Sequence, residues 1–168
     1  QGETVVNGLL DGKAALMLDG TARVILLDVR RAEKRAVGRT ENEKVLYGAH
    51  HAFIEDLRTN ITLVRSLVRT PDLVTRMMTM GGGNDLRLAV MYKSGTVNPQ
   101  LVRELMRRLQ RAQSKNETFS GGFQLHRFLD QRPFSIFPQT LNTERPDRTA
   151  TFISQGHLVV LTDGMPFA

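Results

Sequence analysis

The sequence predicts an α/β domain in which a single mixed β-sheet is covered by helices on both faces. Two observations indicate this class: amphipathic helical segments alternate with short apolar runs, and the runs occur in pairs separated by turn residues. The third is size, because 168 residues with 40% apolar side chains can bury one substantial core. We therefore predict one domain over residues 1–168.

The first predicted elements are a short helix and a hairpin. Residues 3–10 suit a lead-in helix that ends at turn residues. Two apolar runs, 14–18 and 22–29, flank Asp19-Gly20, and such a step between apolar runs is a strong hairpin signal. Residues 30–44 are polar and rich in both charges, which is typical of an exposed connection.

The longest predicted helix covers residues 47–73. Its apolar side chains recur at intervals of three and four, which places them on one stripe: Phe53, Leu57, Ile61, Val64 and Val68. The side chains between them, which include Glu55, Asn60 and Arg65, are expected on the exposed face. Pro71 ends this helix because it has no backbone N–H to donate.

The remaining predicted elements are two strands, three helices and a final buried strand, at residues 73–80, 86–92, 99–113, 123–129, 143–155 and 157–162. Asn98 suits the N-cap of the first of these helices, and Pro99 suits its first helical position. Gly156 suits a left-handed cap after the last helix.

Composition limits the classes of function. The absence of cysteine excludes disulfides and thiolate metal sites, and no apolar run approaches the ~20 residues of a bilayer-spanning helix. The net charge of +6 raises the hypothesis of an anionic partner, although 6% aromatic residues offer little surface for stacking nucleic acid bases. Because the chain begins at Gln1 without a leader pattern, we expect it to be part of a longer protein.

No catalytic or metal-binding arrangement is predicted. The sequence has no glycine-flanked nucleophile elbow and no HExxH spacing, and no nucleophile, base and orienting residue can be assigned together. The adjacent His50 and His51 point in different directions in any regular element, so they do not suit one metal ion. We therefore predict neither enzyme activity nor a cofactor.

A basic face is predicted on the helix over residues 99–113, opposite its apolar side, and consists of Arg103, Arg107, Arg108 and Arg111. Three interpretations remain open for these side chains. They form an ordinary solvated face, they bind an acidic surface of a neighbouring subunit, or they bind anionic lipid headgroups.

The segment Thr143-Glu144-Arg145-Pro146-Asp147 suits the entrance of the last helix. Thr143 or Asn142 would act as the N-cap, and the two acidic side chains would favour the positive end of the helix dipole. The guanidinium of Arg145 is expected to bridge a carboxylate on the long helix, such as Glu55. A network that fixes this entrance is one interpretation, and a ligand or subunit contact is the other.

Two stretches resemble the A subunit of the GerA family of spore germinant receptors. The first consists of Gly48, Phe53, Glu55, Leu57, Thr59-Asn60-Ile61, Leu63-Val64-Arg65 and the TPDL of residues 70–73. The second consists of Phe137-Pro138, the TERPD of residues 143–147, Gly156, Leu158-Val159-Val160, Asp163-Gly164 and Pro166-Phe167. Their order and separation extend the resemblance over nearly the whole chain.

The resemblance implies a membrane-attached receptor subunit of the bacterial spore. This chain would be the second half of its soluble N-terminal region, on the cytoplasmic (core) side of the spore inner membrane, with membrane-spanning helices beyond it. The implied partners are copies of itself and the B and C receptor subunits. The implied function is receptor assembly and transmission of a nutrient signal to the membrane domain during germination.

Two alternatives come from the residues alone. The net charge and the arginines raise the hypothesis of a nucleic-acid-binding module, although no nucleic acid is expected if the resemblance holds. An α/β fold also permits a small-molecule site beyond its strand ends.

Overall fold

The computed structural model describes residues 2–29, 52–81, 86–115, 119, 122–129 and 140–168. Its elements, in chain order, are α1 Gly2–Leu10, β1 Ala14–Met17, β2 Val24–Leu27, α2 Leu57–Val68, β3 Leu73–Met80, β4 Leu86–Lys93, α3 Pro99–Ser114, α4 Gly122–Leu129, α5 Pro146–Ser154 and β5 Val159–Thr162. The predictions for residues 30–44 and for His50 and His51 lie outside the described residues, as do Gly48 and Phe137-Pro138 of the two resembling stretches.

The α/β class is confirmed, but the described strands form two antiparallel sheets and not the single mixed sheet that was predicted. One sheet is the hairpin β1-β2, and the other has the order β3-β4-β5. Five residues separate β3 from β4, which is too few for a parallel crossover, since that needs a dozen or more residues. β5 also returns antiparallel to β4, so no parallel pair arises among the described strands.

Helices cover both faces of the three-stranded sheet, as predicted. β4 is the central strand, and its side chains alternate between two hydrophobic clusters. Leu88, Val90 and Tyr92 pack with α3 and α4, whereas Ala89 and Met91 pack with α2 and α5. The central strand is therefore buried on both sides, which explains its continuous apolar sequence.

Helix α2 is shorter than predicted, because the residues before Leu57 are not helical. Asp56 is the N-cap, with extended geometry (φ −86°, ψ 111°) and a carboxylate that accepts a hydrogen bond from Thr59 N at 2.8 Å. A hydrogen bond from the Thr59 hydroxyl, together with the one from Thr59 N, holds the pKa of Asp56 below its usual value. At its other end the helix stops at Arg69, a left-handed residue (φ 41°) two positions before Pro71.

The start of α3 is confirmed, and the start of α5 is corrected. Asn98 caps α3 by accepting a hydrogen bond from Gln100 N at 2.9 Å. Helix α5 begins at Pro146, three residues later than predicted, and its N-cap is Arg145 and neither Asn142 nor Thr143. The physical reason is that a proline keeps the preceding residue extended, here at φ −99° and ψ 112°.

Candidate functional site

Three segments that are distant in sequence meet at the N-terminus of α2, and we call their meeting point the α2 junction. They are residues 53–60, the loop of residues 143–147 and the turn Asp163-Gly164. Three hydrogen bonds join them: Phe53 N to Glu144 O (2.9 Å), Gly164 N to Glu55 O (2.8 Å) and Leu57 N to Asp163 Oδ1 (3.2 Å). The junction therefore connects both resembling stretches through the backbone.

Asp163 has the most connections in the α2 junction. Its Oδ1 accepts from the first amide of α2, which has no partner within its own helix. Its Oδ2 accepts from Arg87 Nε at 3.1 Å and Arg87 Nη2 at 2.6 Å, and its own N–H donates to Arg87 O at 2.9 Å. One carboxylate thus ties the helix terminus to strand β4.

Asn60 is buried inside the junction, although the helical pattern placed it on the exposed face. Only 1% of its surface is accessible. Its Oδ1 accepts from Ile54 N at 2.9 Å, and its Nδ2 donates to Ile54 O at 2.5 Å. The amide side chain therefore satisfies both backbone groups of a residue outside the helix, and it fixes the non-helical path into α2.

Thr143 connects the loop of residues 143–147 to Ala168. The two residues exchange backbone hydrogen bonds, Thr143 N to Ala168 O at 3.1 Å and Ala168 N to Thr143 O at 3.0 Å. Thr143 is buried, and its hydroxyl accepts from Arg145 N at 3.2 Å. The loop is therefore joined to residue 168 through the backbone.

Arg145 binds Asp147 and not Glu55, so the expected bridge to the long helix is not formed. Its Nε and Nη2 donate to the Asp147 carboxylate at 3.2 Å and 2.6 Å. The hydrogen bonds from Arg145 hold the pKa of Asp147 below its usual value, against the opposing effect of burial. Because Glu55 precedes the N-cap, it lies on an exposed non-helical segment and contributes its backbone carbonyl instead.

The structure brings together most residues of the two candidate motifs. Pro146 is buried at the first position of α5, and Glu144 contributes its backbone carbonyl to the α2 junction. Arg65 does not join them, because it lies exposed in the last turn of α2. The motif residues at the junction therefore fix the chain path.

The arginines of α3 form a partly neutralised face. Arg107 Nη2 and Arg108 Nε bind Glu104 Oε1 at 2.9 Å and 2.7 Å. These hydrogen bonds, that from Arg107 first, lower the pKa of Glu104 from 4.5 to about 2. Arg103 and Arg111 are exposed, and no carboxylate of the described ranges pairs with either.

A cavity of about 370 Å³ lies between the start of α3 and the end of α5, lined mainly by apolar side chains such as Leu101, Phe152 and Leu158. His157 is the one titratable side chain among the lining residues. In the described ranges, no three His, Asp or Glu side chains are grouped so that they could hold a metal ion. Among the described lining residues, His157 alone does not make up a set of groups suited to acid–base chemistry.

Sequence reasoning missed the pairing of Arg87 with Asp163. The available signal was an acidic residue directly after a buried apolar strand, which marked a turn but gave no partner. Arg87 is the second residue of β4, and the apolar pattern of this strand gives no indication of a partner for the arginine.

In the described part of the chain, no helix has the length and apolar character needed to cross a membrane.

The sequence matches the family described as Bacillus/Clostridium GerA spore germination protein over residues 1–168. It is 35% identical over 160 residues to spore germination protein B1 of Bacillus subtilis (strain 168). It is 33% identical over 167 residues to spore germination protein GerQA of Bacillus cereus.

These alignments cover 95% and 99% of this chain but 33% of each relative, so the chain spans about a third of their length. The fold is similar to the crystal structure of the N-terminal domain of the A subunit of the Bacillus megaterium spore germinant receptor GerK3. The TM-score is 0.70 at 27% identity, over 98% of this chain and 57% of that chain. Because the family match extends over every residue and the fold agrees, this chain belongs to the GerA family of spore germination proteins.

Proposed function

We propose that this chain is part of the soluble N-terminal region of a germinant-receptor A subunit, and that it assembles the receptor and transmits a nutrient signal. The activity is conformational and not enzymatic. In the whole protein, membrane-spanning helices follow residue 168, and this region lies on the core side of the spore inner membrane. The single observation that carries the proposal is the exchange of hydrogen bonds between Thr143 and Ala168.

That observation supports signal transmission for a mechanical reason. The α2 junction is held by backbone hydrogen bonds among three segments, and the last residue is bonded to one of them. Packed elements with defined hydrogen bonds move together more readily than segments joined by a flexible linker. A shift of α2 or α5 on partner binding would therefore reach whatever follows Ala168.

The proposed partners are copies of this subunit and the B and C subunits of the receptor. We assign the exposed face of α3 (Arg103, Arg107, Arg108 and Arg111) to an acidic surface of a neighbouring subunit. Glu104 already neutralises part of this charge, so the face suits a limited contact more than wrapping by a polyanion. Glu55, Asn60 and the residues 143–147 would instead fix the α2 junction on the other face of the sheet, and Arg65 would lie at the surface of α2.

The test is germination of spores in which the gene carries Asp163→Ala. This change removes the acceptor for both Leu57 N and Arg87 and leaves α3 untouched. We expect nutrient-triggered loss of optical density to slow at least fivefold in a mixture of amino acids, sugars and nucleosides. Immunoblots of the inner-membrane fraction separate loss of signalling from loss of the subunit.

The matched control is Asp72→Ala, which removes an exposed carboxylate that lies outside the α2 junction. Its germination rate should stay within twofold of the parent. Spores that lack the gene but germinate like the parent in every nutrient mixture would contradict the proposed function. Equal defects in the two variants would contradict the role of the α2 junction.

A further inference from the structure

Helix α2 carries three arginines on one exposed side, and we call them the α2 stripe: Arg58, Arg65 and Arg69. Arg58 and Arg65 lie two helical turns apart, and Arg69 is the C-cap one turn further on. All three residues are exposed. The Nε of Arg69 donates to Ser66 O at 2.9 Å, which holds its guanidinium against the last turn of the helix. The α2 stripe therefore presents positive charge along the full length of α2.

The α2 stripe has no counter-charge among the described residues. Residues 57–68 contain no Asp or Glu, and none of the described ion pairs includes an arginine of the stripe. The nearest carboxylate in the chain, that of Asp56, accepts hydrogen bonds from Thr59 N and from the Thr59 hydroxyl. On α3, in contrast, Glu104 binds two of the arginines. The α2 stripe is therefore the less neutralised of the two basic faces.

The helix dipole accounts for only part of the α2 stripe. Arg65 and Arg69 lie at the C-terminal end, whose negative partial charge favours cations, but Arg58 lies in the first turn, where the dipole disfavours them. Residues 30–51, which lie outside the described ranges, contain six Lys and Arg but only three Glu. That segment brings charge of the same sign, so a negative partner outside this chain suits the stripe better.

The position of α2 indicates what kind of anion lies nearby. Helix α2 and Ala168 pack on the same hydrophobic cluster, together with α5 and β5. Thr143, which exchanges backbone hydrogen bonds with Ala168, belongs to the α2 junction at the N-terminus of the helix. In the proposed function, membrane-spanning helices follow residue 168. That function therefore puts α2 beside the membrane surface, on the opposite side of the sheet from α3.

We propose that the α2 stripe binds the phosphate groups of anionic lipids at the surface of that membrane, an inference that rests on the proposed function for the position of the membrane. A guanidinium can donate two parallel hydrogen bonds to one phosphate, which an ammonium cannot. A cation close to an anionic lipid surface raises the affinity by about fivefold, so three raise it by roughly a hundredfold. Such a contact is too weak to anchor the domain alone. It fixes the orientation of a domain that membrane-spanning helices already hold at the surface.

The test is co-sedimentation of the 168-residue chain with vesicles of phosphatidylglycerol and, separately, of phosphatidylcholine. We expect binding to phosphatidylglycerol that added salt weakens, and no binding to phosphatidylcholine, which has no net charge. Arg58→Gln, Arg65→Gln and Arg69→Gln combined should lower the affinity for phosphatidylglycerol at least about twentyfold. Arg58→Lys, Arg65→Lys and Arg69→Lys combined keep the charge and should bind within about threefold of the parent. The urea midpoint of each variant shows whether it is folded under the binding conditions.

The matched control removes three positive charges outside the α2 stripe, with Arg23→Gln, Arg76→Gln and Lys115→Gln combined. These residues are exposed but lie on separate elements, so a flat lipid surface contacts few of them at once. The control should lose less than about fivefold in affinity. Equal losses in the two glutamine variants, equal binding to both kinds of vesicle, or no binding to phosphatidylglycerol would overturn the proposal.

A soluble acidic polymer distinguishes lipid from an acidic protein surface. Tighter binding to polyglutamate than to phosphatidylglycerol vesicles, lost when the α2 stripe is replaced by glutamine, would assign the stripe to a protein partner and overturn the lipid proposal. No nutrient and no partner subunit is present in these measurements. Failure of lipid binding therefore leaves the germination test of Asp163→Ala untouched, and failure of that germination test leaves the vesicle result standing.

Discussion

Asp163 and Arg87 are joined by both backbone and side chain. The backbone N–H of Asp163 donates to Arg87 O at 2.9 Å, and the Arg87 guanidinium donates twice to Asp163 Oδ2. Because the other carboxylate oxygen accepts from Leu57 N, the pair connects the end of the sheet to the start of α2. We therefore expect the loss of the Asp163 side chain to lower the stability more than the loss of the Arg87 side chain.

Asp163→Ala should lower the free energy of unfolding by about 2 kcal/mol, because it removes a hydrogen-bond acceptor from a helix N-terminus as well as an ion pair. Arg87→Ala should lower it by less than about 1 kcal/mol, since that side chain is 51% exposed. Urea denaturation of both variants measures the difference. Equal losses would mean that the bond to Leu57 contributes nothing.

Asn60→Leu should be among the most destabilising single changes in α2. Leucine has the same heavy-atom branching as asparagine but is larger and apolar, so the N–H and C=O of Ile54 lose their partner in a part-buried position. We expect a loss of about 2–4 kcal/mol in the free energy of unfolding. Thr62→Ala on the exposed face of the same helix is the control and should cost less than about 0.5 kcal/mol. A loss for Asn60→Leu as small as that of the control would contradict the role of the side chain.

The hydrogen bonds of Glu104 with Arg107 and Arg108 stabilise the folded protein, and we predict that this stabilisation is lost in acid. The pKa of Glu104 is lowered to about 2 in the folded protein, so the stabilisation is fully present above the usual value of 4.5. It is lost as the pH falls from about 4.5 through about 2. An NMR titration of the Glu104 carboxylate should show the low pKa, and Arg107→Ala should move it towards 4.5. A pKa that Arg107→Ala leaves unchanged would rule out this pairing in solution.

Gly156 and Gly95 provide a matched comparison of left-handed glycines. Their φ angles are 92° and 80°. A Cβ added to Gly156 would lie 2.8 Å from Thr96 O, whereas a Cβ added to Gly95 would have no contact within 4 Å among the described residues. Gly95→Ala should cost about 1 kcal/mol from backbone strain alone. Gly156→Ala should cost clearly more, because the backbone of residue 96 must also move. Thermal unfolding in parallel decides the order, and equal costs would contradict the close approach.

Binding to DNA and RNA should be weak and without sequence preference. Arg107 and Arg108 already bind Glu104, which leaves the α3 face with few free cations. At physiological salt we expect a Kd no tighter than the ~10⁻⁴–10⁻⁶ M of non-specific binding. A fluorescence anisotropy titration at several salt concentrations measures this. Tight binding with a steep salt slope, lost in Arg103→Ala with Arg111→Ala, would favour the nucleic-acid alternative.

Sequence reasoning succeeded at several elements whose signal was local, although it placed the start of α5 three residues too early. The Asn98-Pro99 start of α3, the hairpin turn and the apolar strands β3 and β4 all follow from neighbouring residues, and the structure contains them. It failed at the start of α2, where helical periodicity continued into residues that Asp56 excludes from the helix. A periodic pattern reports which side chains face the core, and Phe53 does so from an extended segment.

The sequence by itself determined the α/β class, the order of most elements and the family resemblance, because apolar period, caps and motif spacing are properties of residues close in the chain. The tertiary structure alone decided that Asp163 serves α2 and that the described strands divide into two sheets. These outcomes depend on which of several available acceptors lies within hydrogen-bond distance. That distance is set by the packing of segments a hundred residues apart, and no local pattern records it.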